Sequence, residues 1–179
     1  NLETEDIQNQ PKNTLAFTEN LGQVTDYEGN KREDVLFSAN HNGLKIFLLP
    51  TSICYQFEQL DEQKNEDYNV RVCKLEMALE NANKNAKILK SEKQDYFENF
   101  YLPSCPNGIT NVGVFEKIIY QNIYPNIDWV IYSVNSEMKY DFIVHPGGNI
   151  KDIQIKYAGF ESLTLTEDGS LNIKTNIGV

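Results

Sequence analysis

Residues Ile127–Val144 run Ile-Asp-Trp-Val-Ile-Tyr-Ser-Val, cross Asn135-Ser136 and return as Glu-Met-Lys-Tyr-Asp-Phe-Ile-Val. Two period-two apolar runs around a two-residue turn specify an antiparallel hairpin. With Asn135 and Ser136 as the turn pair, Ser133 faces Met138, Ile131 faces Tyr140, Trp129 faces Phe142 and Ile127 faces Val144. Nearly everything on that face is apolar. The other face pairs Tyr132 with Lys139, Val130 with Asp141 and Asp128 with Ile143. A slip of one residue would turn Trp129 and Phe142 to solvent, so the pattern holds its own register. Trp129, Ile131, Tyr140 and Phe142 are therefore the expected central core patch.

The rest of the chain consists of short strands separated by turn residues. Residues 1–13 are polar and aperiodic and are expected to form a disordered leader; structure should begin at Leu15-Ala16-Phe17. Glu19 to Lys31 is loop chemistry rich in Gly and Asn. Val35–Ala39 reads as a strand joined through Asn42-Gly43, the strongest hairpin dipeptide, to a strand over Leu44–Leu49 that Pro50 ends. Ile53, Tyr55 and Phe57 alternate with Cys54, Gln56 and Glu58, and a polar linker follows over Asp61–Asp67. Tyr68–Leu79 mixes strand formers with the helix-favouring Lys-Leu-Glu-Met-Ala-Leu-Glu and is assigned to strand. Ala86–Leu89 is expected as a short edge strand, and Gln94–Leu102 as a separate run dense in aromatics. Val112–Ile123 follows as a long central strand, Ile150–Tyr157 as a further strand, and Leu163–Thr175 as a hairpin around Asp168-Gly169. These features predict a single all-β domain over residues 14–179, or the N-terminal part of a longer one, with antiparallel sheets stacked as a sandwich or a related β-rich fold.

Composition removes several classes of function. The 179 residues, 40% of them hydrophobic and 11% aromatic, suffice for a real core. A net charge of -10 and a pI near 4.7 disfavour nucleic acid and anionic membrane surfaces, both of which attract clustered Lys and Arg. No apolar run approaches the roughly 20 residues that span a bilayer, so membrane insertion is not expected. Asn1 is expected to follow a removed leader or a cloning boundary. The three cysteines are odd in number and too few for a disulfide scaffold.

Four blocks carry a resemblance to a known family. Phe17-Thr18-Glu19-Asn20-Leu21-Gly22-Gln23 resembles its F-x-E-N-x-G-Q signature and is followed by Asp34-Val35-Leu36-Phe37. Asn122-Ile123-Tyr124-Pro125-Asn126-Ile127-Asp128 resembles its N-x-Y-P-G-I-D element, with Asn126 in place of the usual Gly. Lys139-Tyr140-Asp141-Phe142-Ile143-Val144-His145-Pro146-Gly147 matches a K-Y-D-F-x-V-x-P-G block, and Leu163 through Gly178 resembles the family's L-x-x-x-G-x-L-x-I-x-T-x-x-G ending. Over residues 17–178 the chain is similar to the N-terminal domain of unknown function of secreted and cell-surface proteins of Bacteroidetes-type bacteria. That domain lies upstream of SBBP-type β-propeller repeats or gliding-motility-associated C-terminal modules. The resemblance implies export by a type IX-type route, attachment at the outer surface, and further β structure after Val179. It implies no activity.

Candidate chemistry is sparse. Asp128 and Asp141 fall on one face as diagonal neighbours, about 7–8 Å apart at the backbone, within reach of a shared ligand or cation. With Lys139 they are the candidate ligand-binding residues. The structural alternative is preferred for both carboxylates: Asp128 caps the Tyr-Pro-Asn turn, and Asp141 pairs with Lys139, Lys117 or a backbone amide. His145 lies about 13 Å along the strand from Asp141 and is read as a turn histidine; His41 sits in a hairpin loop. Neither has metal-ligand spacing, and Cys105 has no neighbouring base, so no catalytic residue, metal or cofactor is expected. Asp26–Asp34 is acidic but lacks the spacing of a calcium loop. Tyr96, Phe97, Phe100 and Tyr101 are expected to pack in the core or beneath further β structure, with sugar stacking as the alternative. Cys54 and Cys73 are expected to lie opposite each other and to bridge on export, leaving Cys105 free.

The expected function is a non-enzymatic structural or interaction domain of a secreted or outer-surface protein. It would present or cap downstream modules of the same polypeptide, mediate adhesion, and meet a surface glycan or protein. The alternative is a glycan-binding module, followed by a glycan-active enzyme using Asp128 and Asp141.

Overall fold

The computed structural model describes residues 15–62 and 68–176. The leader at 1–13 and residues 63–67 of the polar linker lie outside the described residues. The strands are β1 (Phe17–Glu19), β2 (Phe37–His41), β3 (Leu44–Leu48), β4 (Ser52–Glu62), β5 (Tyr68–Leu79), β6 (Lys87–Leu102), β7 (Cys105–Tyr124), β8 (Ile127–Val134), β9 (Glu137–Val144), β10 (Ile155–Ala158), β11 (Ser162–Leu165) and β12 (Leu171–Lys174). The protein is all-β. One large antiparallel sheet has the order β10-β5-β4-β3-β2-β1-β7-β8-β9, with β6 on the second edge of β7, while β11 and β12 form a separate ribbon.

Local chemistry accounts for the turns. Asn42 and Gly43 have φ of 51° and 81°, and Asn135 and Ser136 have 53° and 65°. Both pairs are the two left-handed residues of a hairpin turn whose twist matches its strands. Asn126, at φ 57°, fills another left-handed position. That explains why Asn can stand where glycine is usual, since Asn tolerates this conformation better than other residues with a Cβ. In β5, burial decides between strand and helix. Cys73, Leu75, Met77 and Leu79 are buried while Arg71, Lys74, Glu76 and Glu80 are exposed, and the strand ladder with β4 runs the full length. Tertiary pairing outweighs the helix propensity of Leu, Glu, Met and Ala.

The curl of the sheet follows from β7. Its Phe115 pairs with Lys93 of β6 on one edge and with Phe17 of β1 on the other. Two residues on, Lys117 pairs with Ser91 of β6 and Tyr132 of β8. β1 and β8 thus occupy one edge of β7 in succession, and the wings they lead fold toward each other. The core lies between, with Ile46, Leu48, Ile53, Met77 and Leu79 from one wing against Ile118, Tyr120, Ile127, Trp129 and Ile131 from the other. The Tyr120 hydroxyl donates to Leu49 O at 3.0 Å and the Tyr124 hydroxyl to Glu80 O at 2.8 Å, tying β7 to the loops of the facing wing. At the outer margins Tyr157 of β10 hydrogen-bonds Tyr140 of β9, and burial pushes the Tyr157 hydroxyl up to about 12.

The β8–β9 register is the one expected, pair for pair. Trp129 is fully buried, with its ring 5.0 Å from Tyr120, 6.2 Å from a stacked Phe142 and 6.5 Å from Tyr140. Three expectations are corrected. The short strand at Ala86–Leu89 and the aromatic run are one strand, β6, which continues through bulges into the hairpin with β7. The strand over Ile150–Tyr157 is a 3-10 turn at Ile150–Asp152, begun by the Asn149 side chain accepting from Lys151 N, then the shorter β10. Cys54 faces Glu76 and Cys73 faces Phe57. The two cysteines are offset by three residues, about 10 Å, and point to opposite faces, so they cannot bridge and all three thiols are free.

Trp129→Ala should destabilise the protein by about 3–5 kcal/mol in denaturant titration, because the wings lose their shared aromatic filler. Thiol titration of unreduced, denatured protein should find all three cysteines free.

Candidate functional site

The outer face of the β8–β9 hairpin carries Asp128, Lys139 and Asp141, as the alternation of the two strands requires. Asp128 is occupied by its own chain. On β7 the ladder jumps from Tyr120–Trp129 to Tyr124–Ile127, leaving extra residues around Asn122, which turns back at φ 51°. The Asn122 amide, displaced from the ladder, donates to Asp128 Oδ1 at 2.8 Å. Asp128 Oδ2 lies 2.9 Å from His145 Nε2, and the His145 backbone N–H donates to Asn126 O at 2.8 Å. The carboxylate therefore clamps a bulge to the end of the hairpin. Partial burial pushes the Asp128 carboxyl up, but the Asn122 amide and the His145 ring outweigh it, and the group sits below its usual range.

Asp141 is exposed, and its Oδ2 accepts from the Tyr132 hydroxyl at 2.8 Å. Lys139 reaches Glu137 at 3.5 Å on the open surface. The three residues share a face, but none of them lines the concavities described below. His145, read from the sequence as a turn residue, is the partner brought to Asp128. The register contained that signal: a residue just past the Ile127–Val144 pair sits opposite Asn126, two residues from Asp128 on the same face.

The Phe17–Gln23 motif is a loop clamp. The Asn20 side chain donates to Arg32 O at 2.9 Å and Val35 O at 2.8 Å, and its Oδ1 accepts from Gly22 N and Val24 N. Gln23 donates to Glu19 O and accepts from Leu21 N. Gly22, at φ 109°, supplies a backbone turn that side chains with a Cβ rarely adopt. Beside this clamp is a concavity of about 530 Å³, with Val35, Phe37 and Ile88 below and the Glu19–Lys90 ion pair, Lys31 and Glu33 around it. The acidic loop after it is likewise self-contained. Asp26 accepts from Glu28 N, Asn30 N and the Asn30 side chain, which hold its carboxyl below the usual range. Among the described residues no group of three or more His, Cys, Asp or Glu is arranged to hold a metal ion.

The aromatic run departs most from expectation. Phe97 and Tyr101 are 55% and 75% exposed, so neither packs in the core. The bulged part of β6 instead leans over the outer face of β1–β3. There Tyr96, Glu98 and Phe100 meet Thr18, Ser38, Asn40, Lys45 and Phe47 around a concavity of about 290 Å³. Sequence reasoning identified the aromatics but not the residues they face, because that meeting depends on where the bulges send the strand.

Over residues 17–179 the chain matches a family model described as "Domain of unknown function (DUF7948)", and it belongs to that family. No curated protein and no solved structure matches it.

Asp128→Ala should cost about 1–3 kcal/mol in chemical denaturation near neutral pH, whereas Asp141→Ala, at an exposed position, should stay within about 0.5 kcal/mol. The Asp128 carboxyl is harder to protonate in the folded protein than in the unfolded chain. Its contribution is therefore complete above the unfolded carboxyl value of about 3.9 and is lost as pH falls through the lower folded value. The stability gap between parent and Asp128→Ala should accordingly narrow below about pH 4.

Proposed function

We propose that this member of the family is a non-enzymatic interaction module of an exported, surface-attached polypeptide, and that it presents or caps an adjoining β module. The observation that carries this reading is the β11–β12 ribbon. Its pairs are Ser162–Lys174, Leu163–Ile173, Thr164–Asn172 and Leu165–Leu171. One face is wholly apolar and the other wholly polar. The apolar face is open: Leu163, Leu165 and Leu171 are 39%, 70% and 37% exposed, and none of its four residues belongs to the core cluster. An isolated two-stranded ribbon is marginal in water and gains stability by packing that face on further structure. Neighbouring β structure of the same polypeptide is the natural occupant.

The motif resemblance supplies the finer setting of the proposal. It comprises type IX-type export in Bacteroidetes-type bacteria, a place before SBBP-type propeller repeats or gliding-motility-associated modules, and a part in adhesion. A second reading, a glycan-binding module, is favoured by the exposed aromatics of β6. A glycan-active enzyme using Asp128 and Asp141 has less behind it, since Asp128 accepts a hydrogen bond from Asn122 of β7 and Asp141 one from Tyr132 of β8.

Hydrogen exchange compared between the 179-residue chain and the longer exported polypeptide tests the proposal. Amides of residues 162–174 should exchange more slowly in the longer protein. Leu165→Lys should abolish that difference while shifting the stability of the 179-residue chain by no more than about 0.5 kcal/mol. Equal exchange of the ribbon in both proteins would overturn the reading.

A further inference from the structure

We propose that the groove between the bulged part of β6 and the outer face of β1–β3 is a binding site for a neutral saccharide. The inference rests on the glycan-binding reading given above and assigns it a place and a ligand chemistry. A pyranose ring presents apolar C–H faces and a rim of hydroxyls, so its binding calls for aromatic surface and uncharged hydrogen-bonding groups together. The groove supplies both. Tyr96 and Phe100 line it from β6, Phe47 from β3, and Ser38 and Asn40 bring a hydroxyl and an amide from β2. Its volume of about 290 Å³ lies just below the range of about 300 to 1,000 Å³ usual for ligand sites, a size suited to one or two sugar rings.

The charged groups at the groove have partners, an ion pair for Lys45 and a hydroxyl for Glu98. Lys45 Nζ lies 2.6 Å from Glu58 Oε1, and Glu98 Oε2 accepts from Thr18 Oγ1 at 3.0 Å. Among the described residues lining the groove, no unpaired cation is presented to an acidic sugar, and the chain's net charge of -10 repels polyanions. Neutral glycans are selected on both counts.

A second observation is the backbone that aims Tyr96. The β6–β7 ladder runs regularly from Lys87–Gln121 to Lys93–Phe115 except at Glu92, then resumes only at Phe97–Gly113, leaving Gln94, Asp95 and Tyr96 outside it. Glu92 sits at φ 54° and Asn111 at φ 60°, and the Asn111 amide donates to Asn99 Oδ1 at 2.9 Å, which secures the irregular stretch. Bulges of this kind redirect side chains at the cost of ladder hydrogen bonds. Here the redirected side chain is a tyrosine that remains 36% exposed, so burial does not offset that cost in full. A ligand stacked on the ring would.

The test is titration of the 179-residue chain with cellotetraose, xylotetraose, maltotetraose and chitotetraose, followed by saturation-transfer NMR and calorimetry. Tetragalacturonate serves as the acidic comparison. At least one neutral tetrasaccharide should bind, with tetragalacturonate weaker. Tyr96→Ala and, without removing an aromatic, Asn40→Ala should each weaken binding by about tenfold or more, while Asp141→Ala leaves it unchanged. A neutral saccharide held as tightly by both groove variants as by the parent would overturn this location and leave the glycan-binding reading standing. No binding by any neutral tetrasaccharide at about 10 mM, well above a weak-complex Kd of ~1 mM, would overturn the groove and that reading together.

Discussion

One edge of β7 carries two neighbours in succession, β1 at Val114–Phe115 and β8 from Lys117 onward. A flat sheet can continue from such an edge in only one direction, so the two wings must leave β7 and fold back over it. Everything central to the core follows from that closure. Tyr120 and Trp129 meet Leu48 and Ile53 because the wings converge, and the hydroxyls of Tyr120 and Tyr124 reach carbonyls across the gap. Burial pushes the Tyr120 and Tyr55 hydroxyls far above their usual range, as an interior that excludes water should. Among the described residues, two buried polar groups lack a hydrogen-bond partner: the Ser133 hydroxyl and, at the centre of the core, the indole N–H of Trp129. The contribution of Trp129 to the core comes from ring contact alone.

Asparagine manages the irregularities of this sheet. Among the described residues, Asn42, Asn81, Asn111, Asn122, Asn126 and Asn135 all hold left-handed backbones at turns or bulges. A short amide side chain that bonds locally lowers the cost of that conformation for a residue with a Cβ. Asn20 is used differently, as a four-bond clamp that fixes the loop between β1 and β2. Several acidic side chains are likewise spent on the backbone or on nearby groups, Asp26 on its own loop and Asp128 on the Asn122 bulge. What looks like reactive chemistry in the sequence is largely turn and bulge chemistry in the fold.

Among the described residues, two surfaces carry apolar or aromatic groups that no turn or bulge chemistry of that kind accounts for: the apolar side of the β11–β12 ribbon and the aromatic groove under β6. They differ in character. The ribbon face is purely aliphatic, which suits burial against another β surface and offers little directional selectivity. The groove combines rings with a hydroxyl and an amide, the mixture that orients a small polar ligand. A module carrying both could join its neighbours through one and meet its surroundings through the other.

The sequence by itself determined whatever depended on local periodicity and turn chemistry. The β8–β9 register was legible because period-two alternation and two left-handed turn residues leave one pairing that buries Trp129 and Phe142. The Asn42-Gly43 and Asp168-Gly169 hairpins, and so the all-β class, were legible for the same reason. Pairings set by contacts distant in sequence were not. Cys54 and Cys73 belong to strands that were correctly recognised, yet their three-residue offset depends on how β4 and β5 align, which the periodicity of neither strand specifies. The continuation of β6 through its aromatic run, the insertion of β1 beside β7, and the meeting of Tyr96 with Ser38 and Asn40 depend on bulges and on the curl of the whole sheet. Those features bring together side chains separated by dozens of residues, and only the tertiary structure decided which ones meet.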